Sequence, residues 1–274
     1  MITLLKHEFL HTRFPLALVA GIAILLAIAG TLLAMTGLPG IAAIGMVMTV
    51  VTMVAFVPAT QVMLAVVYWR SSYGRMGYLT QTLPVKGARI YWAKMLWAWL
   101  VSLVAALLTA GILLSSAPLM AGGAGARPGS ILTALREGWA RLNELAPGWG
   151  VALAVAAIVA LILIWPAQYF FAASIGSQAP INRLGVAGPV LVWVGVYLAA
   201  QLLIFLSFAA VPLAIGMDGG RFGLVRFDLF AEMSAGSDAA PDVMPVGFFP
   251  ALLLLTVVCI AWSVRSWNRK VSLV

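Results

Sequence analysis

"PLALVAGIAILLAIAGTLLAMT", residues 15–36, contains no charged side chain. An α-helix rises about 1.5 Å per residue, so about 20 such residues cross the roughly 30 Å hydrocarbon core of a bilayer. A helix is also the form in which an isolated apolar segment satisfies all its backbone groups without water. Five further runs of this kind follow, at 42–67, 95–117, 150–172, 186–212 and 249–265. Each is continuously apolar, unlike the weakly alternating segments of about ten residues that build a membrane β-barrel. The sequence therefore predicts an all-α polytopic membrane protein with six transmembrane helices. The composition agrees: 64% of residues are hydrophobic and 9% charged, against about a quarter charged in a soluble domain.

The first run is longer than the apolar core of a secretory signal, and no small-x-small cleavage pattern follows it, so it reads as a retained first span. The single cysteine, Cys259, falls in the sixth span, which rules out an intrachain disulfide and leaves the redox compartment undetermined.

The distribution of Lys and Arg sets an expected orientation. With six spans, both termini share one side. That side collects Lys6, Arg13, Arg70, Arg75, Lys86, Arg89, Lys94, Arg183, Arg265, Arg269 and Lys270, opposed only by Glu8. Arg127, Arg136, Arg141, Arg221 and Arg226 fall on the other side, with all seven remaining acids. The positive-inside rule then predicts cytoplasmic termini in a multi-pass cell-membrane protein. The net charge of +8 follows from this topology and does not indicate nucleic acid, because the cations form no continuous stripe interleaved with exposed aromatics.

Between and before the spans, residues 1–14 read as an interfacial helix, with Ile2, Leu5 and Phe9 on one face and His7, Glu8 and His11 on the other, ending near Pro15. The two histidines have no evident third metal ligand, so they read as polar surface residues. "TGLPGI" joins the first two spans as a tight turn. An external loop over 118–149 holds an amphipathic helix, opened by Ser130 and closed by Pro147-Gly148, with the stripe Leu132, Leu135, Trp139 and Leu142 and an i, i+4 pair of Glu137 and Arg141. A second external loop, 213–248, contains "RFGLVRFDLFAEM", which reads as a re-entrant or interfacial helix.

Apart from the closing Arg265, the six spans carry no Asp, Glu, Lys, Arg or His. This argues against a proton-driven carrier and an intramembrane enzyme, both of which need ionisable or nucleophilic groups at membrane depth. The polar residues within spans are few. Gln61 and Gln201, with Tyr197, are candidates for lining a polar pathway, the commoner role of such glutamines being hydrogen bonds between helices. Pro58 and Pro166 each remove an intrahelical hydrogen bond from their spans.

The segment between spans two and three, residues 68–94, is longer than a turn needs. It carries Arg70, Arg75, Lys86, Arg89 and Lys94 and no acid. Residues 71–82 suit a short helix displaying Tyr73, Met76, Tyr78 and Leu79. Leu83-Pro84 interrupts it, and Pro84 suits the first turn of a new helix through "VKGARIYWAKM", with Tyr91, Trp92 and Lys94 as headgroup anchors. Such a projection with exposed aromatic and aliphatic residues is a docking knob for a cytosolic partner.

"GYLTQTLPVKGARIYWAKML" (77–96) resembles the linker of ABC-2-type permeases, the membrane subunits of ATP-driven exporters, in which a Gly-Tyr-Leu or Gly-Thr-Leu group precedes Leu-Pro-Val and a basic residue closes the segment. The matching positions are Gly77, Tyr78, Leu79, Leu83, Pro84, Val85, Lys86 and Lys94. Arg75-Met76 stands where relatives often carry acids. The six spans, the N-terminal helix and the large last loop extend the resemblance over the chain. It implies a coupling helix at Tyr73, Arg75, Met76, Gly77, Tyr78, Leu79, Leu83, Pro84, Val85 and Lys86, docked on two cytosolic ATPase subunits. It also implies a second permease copy or homologue, with spans two and five lining the central path. The chain has no Gly-x-x-x-x-Gly-Lys-Ser/Thr loop, so ATP and Mg would be bound by the partner subunit and the chain itself would need no cofactor. The expected cargo is an amphipathic, lipid-like, drug or peptide molecule. The competing reading of the same knob is a membrane scaffold or sensor that binds a cytosolic partner without transport.

Overall fold

The computed structural model describes residues 1–74, 77, 80, 82, 84–123, 130–146, 148–218, 221–228 and 243–269. The chain divides into two compact units, Met1–Gly138 and Trp139–Val274. The first holds three long helices: α1 (Ile2–Ala34), α2 (Pro39–Ser72) and α3 (Gly87–Gly123). A 16-residue helix, α4 (Ser130–Leu145), spans the division between units. The second unit holds α5 (Gly148–Gly176), α6 (Ala187–Ala210) and α7 (Phe248–Arg269), with a small sheet between α6 and α7 in sequence.

Six of these helices are long and apolar enough to cross a bilayer. At most 28% of the most apolar window of any of them is buried. A water-soluble bundle would hide those side chains, whereas here they face outward, as a hydrocarbon solvent allows. The fold is that of an all-α, multi-pass membrane protein.

The α1–α2 hairpin follows from local chemistry. Gly37 takes φ +70°, the left-handed conformation that glycine adopts freely, and Pro39 opens α2 with its fixed φ. The two helices then meet through small residues. Ala23, Ala27, Gly30, Thr31 and Ala34 are the buried face of α1 above Thr12, and Gly45, Thr49 and Thr52 face them from α2. A Cβ on Gly45 would fall on the Ala34 amide nitrogen and the Gly30 carbonyl oxygen, so the backbones touch there. The threonine hydroxyls at the seam need no water, because Thr31, Thr49 and Thr52 donate to the Ala27, Gly45 and Met48 carbonyls of their own helices at 2.7 to 2.9 Å. Gly45→Leu is accordingly expected to lower the unfolding midpoint in detergent, by the about 1–3 kcal/mol typical of overpacking. Gly21→Leu, where an added Cβ meets nothing within 4 Å, is the control. Equal midpoints for the two variants would contradict the backbone contact.

Three expectations are corrected. The N-terminal helix is present, but residues 2–13 are the first turns of α1, which continues through Pro15, and do not form a separate element on the leaflet. Two of their polar residues, Glu8 and Thr12, are held by α3. The helix leading into span three begins at Gly87, three residues beyond Pro84. The expected helix in 221–233 is replaced, over 221–226, by a strand. Strands β1 (Leu213–Asp218), β2 (Arg221–Arg226) and β3 (Met244–Pro245) form an antiparallel sheet in the order β2-β1-β3. The register pairs Leu213 with Arg226 and Asp218 with Arg221. The sequence between the last pair is Gly219-Gly220, the composition of a two-residue hairpin, a signal that outweighs apolar content in a segment this short. Residues 229–233 lie outside the described residues.

In the second unit, α5, α6 and α7 pack around Ile164, Ala200 and Leu252. The Gln178 amide donates to Ser266 Oγ and ties the end of α5 to α7. The amphipathic helix expected in 130–145 is α4, with Leu135, Trp139 and Leu142 all exposed. Glu137 and Arg141, though spaced for it, form no ion pair.

Candidate functional site

All three helices of the first unit carry their charges toward the end where α1 begins. On α1, Lys6, Glu8 and Arg13 precede a stretch with no charge from Phe14 to Ala34. On α2 the charge is Arg70, and on α3 the charges are Arg89 and Lys94. Inside this polar end lies a buried node. Lys94 Nζ donates to Glu8 Oε1 at 2.8 Å and to Ser71 Oγ at 2.9 Å, and so joins α3 to α1 and α2 at one atom. The Lys94 side chain is 5% exposed and that of Glu8 13%. An ammonium at this depth loses most of its hydration, a cost of several kcal/mol that a carboxylate and a hydroxyl within hydrogen-bond distance offset. Lys94 was expected as a headgroup anchor. It is instead buried because Glu8, the one acid at this end, faces it across the α1–α3 contact.

The surroundings extend the node in both directions. Thr12 Oγ1 donates to the Glu8 carbonyl at 2.8 Å and accepts from Trp97 Nε1 at 2.9 Å, one turn along α3 from Lys94. Phe9 packs edge-on against Trp97, ring centroids 5.8 Å apart. Toward the linker, the Ser71 carbonyl accepts from Thr80 Oγ1 at 2.7 Å, so the segment following α2 is bonded to the same residue that Lys94 holds. Of the other two expected anchors, Tyr91 is fully buried and Trp92, partly buried, packs against it edge-on.

The predicted coupling residues divide. Pro84, Val85 and Lys86 are exposed just before α3. Tyr73 and Gly77 are buried, contrary to expectation for Tyr73, whose ring stands edge-on to Tyr68 with centroids 5.9 Å apart. The reason is local: Tyr73 caps α2, and its ring folds back onto that helix. Arg75, Met76, Tyr78, Leu79 and Leu83 lie outside the described residues. Around the site, Lys6, Arg13, Arg70, Lys86 and Arg89 are exposed and form no ion pair among the described residues. With Glu8 occupied by Lys94, the described surface of this end is positive.

The expected pathway residues also separate. Gln61 is buried in α2, as an interhelical or pathway glutamine would be. Gln201, expected to face protein, is exposed on α6 of its own unit and makes no hydrogen bond among the described residues. Tyr197, one turn earlier, is 40% exposed and ends a ladder of stacked rings through Trp193 and Tyr169 to Trp165, with centroids 5.9 to 6.3 Å apart.

The sequence reading missed Glu8, Ser71, Thr12 and Trp97 as partners. Glu8 had a usable signal, as the lone acid among the cations on that side; which cation it would take was not readable. Together, fold and site define a multi-pass membrane protein with a polar, internally bonded three-helix end, from which Pro84, Val85 and Lys86 of the linker are exposed. No protein-family profile, curated protein or solved structure matches the chain.

Proposed function

We propose that this chain is the membrane-spanning permease subunit of an ATP-driven export system of the ABC-2 type. One observation carries the reading: the linker resembling the coupling segment, with Pro84, Val85 and Lys86 exposed, is rooted on the Lys94–Glu8–Ser71 node. A load applied to the linker reaches α2 through its covalent connection at Ser72. It reaches α3 through the covalent connection at Gly87 and α1 through the Lys94–Glu8 pair, so three helices receive it together. Packed helices switch between discrete arrangements and do not bend continuously, which suits such a root to moving a bundle as one body.

In this reading the linker faces the cytoplasm, as the distribution of cations requires. It docks a separate ATPase subunit, two per complex, which binds ATP and Mg. A second permease copy or homologue completes the path. The outward-facing Gln201 and Tyr197 on α6 support that element of the proposal: an amide in hydrocarbon without a hydrogen bond is costly, and a facing copy or a wet path removes the cost. The cargo class is amphipathic.

The purified chain alone is expected to hydrolyse no ATP, and hydrolysis is expected to appear when a cognate ATPase subunit is co-expressed and co-purified. Turnover by the isolated chain, surviving removal of contaminating ATPases, would overturn the assignment.

A further inference from the structure

A groove of about 260 Å³ follows the seam between α1 and α3, walled by Leu16 and Ala20 on one side and Leu100 and Val104 on the other, with Phe56 of α2 as its floor. Its lining runs along α1 from Phe9 to Ala20. That is about 16 Å of helix, close to half the roughly 30 Å hydrocarbon core, the reach of one acyl chain in one leaflet. At the polar mouth of this apolar slot stands Arg13, exposed and without an ion-pair or hydrogen-bond partner among the described residues. Arg13 is also the last charge before the uncharged stretch of α1, which places it at headgroup level.

We infer that this groove is a binding site for an anionic phospholipid of the leaflet on the N-terminal side, with the acyl chain between α1 and α3 and the phosphate on the Arg13 guanidinium. A planar guanidinium holds a phosphate through paired hydrogen bonds, and because the quaternary ammonium of a choline headgroup offsets its own phosphate and is repelled by the Arg13 cation, Arg13 favours a lipid of net negative charge over a zwitterionic one. The mouth has a fixed shape, because Trp97 is held by Thr12 and packed by Phe9. A second groove on the same seam, about 290 Å³ between Ile24 and Leu119, lies in the opposite half of the helices and provides the contrast. Its polar lining, Thr31, Ser115 and Ser116, donates to carbonyls of its own helices, and it has no charged residue to select a headgroup. A second copy of the chain fits the first groove less well than a lipid. The partner would have to bring an acid to Arg13, and the one acid at this end is already bonded to Lys94. The site does not depend on the transport assignment.

The test is native mass spectrometry of the full chain, detergent-solubilised and titrated with phosphatidylglycerol or phosphatidylcholine of identical acyl chains. The parent should bind one phosphatidylglycerol about fivefold more tightly than phosphatidylcholine, the order expected for one basic residue beside a headgroup that differs by one net charge. Arg13→Gln should abolish the preference, Arg13→Lys should retain part of it, and Arg89→Gln should leave it unchanged. Val104→Trp, which fills the groove from an exposed position, should remove the bound lipid whatever its headgroup. Equal affinity for the two lipids in the parent, or a preference that survives Arg13→Gln, would overturn the inference. So would a dimer that Val104→Trp dissociates without altering lipid binding, since the groove would then be an interface between copies.

Discussion

Lys94→Met is expected to destabilise the first unit more than any other single change at its polar end. The substitution leaves Glu8 at 13% side-chain exposure without its cation, and Ser71 loses a donor. Removing one partner of a buried pair typically costs about 3–5 kcal/mol, because the surviving charge keeps its desolvation penalty and loses its compensation. Changing both partners has a different sign of logic: Glu8→Gln with Lys94→Met removes both charges, and replacement of a whole buried pair by uncharged groups of similar volume is often neutral. The double variant should therefore recover most of the loss. Unfolding midpoints of parent, single and double variants in one detergent measure the cycle. A Lys94→Met protein as stable as the parent would show that the node contributes nothing to holding the three helices.

The second large effect is on assembly. Replacing Tyr78 and Leu79 together with Asp should abolish co-purification of the ATPase subunit while leaving the chain in the membrane at parental levels. If these side chains fill a groove on the partner, the carboxylates bring unpaired charge into a desolvated contact, and a loss of about 3 kcal/mol in docking is more than a hundredfold in affinity. Folding should be spared, because the flanking structure is secured elsewhere: Thr80 bonds the Ser71 carbonyl, and Lys94 holds the Ser71 hydroxyl. Arg127→Asp with Arg136→Asp, on the segment placed outside by the charge pattern, is the control and should assemble normally. Normal assembly of the Tyr78/Leu79 variant would reduce the linker to a long turn and favour a scaffold with another docking surface.

The six helices were legible because each apolar run reaches the about 17–25 residues with which a helix crosses a bilayer, and no tertiary context competes with that signal. What was not legible depended on contacts between segments distant in sequence. His7, Glu8 and His11 look like a wet face when residues 2–13 stand alone; the two histidines stay exposed, and Glu8 and Thr12 turn inward only because α3 brings Lys94 and Trp97 to them. Pro15 reads as a boundary because proline usually ends helices, yet α1 continues through it with its first turns clamped by α3. Tyr73 has the composition of a docking residue, and only the fold shows its ring turned back onto Tyr68. The strand over 221–226 was hidden by apolar content, although Asp218-Gly219-Gly220-Arg221 carried the hairpin signal. Short segments follow such turn chemistry more closely than mean hydropathy.

The central claim is that the segment ahead of α3 is where a nucleotide-hydrolysing subunit docks. Val85 is exposed between Pro84 and Lys86, and so accepts a photoreactive side chain without disturbing the node. Photolysis of the assembled complex carrying that residue, followed by mass-spectrometric identification of the adduct, reads the contact directly. The expected product joins position 85 to the ATPase subunit, with yield lost in the Tyr78/Leu79 double variant. Adducts only to lipid, or only to a second copy of this chain, in a complex that still hydrolyses ATP would contradict the account.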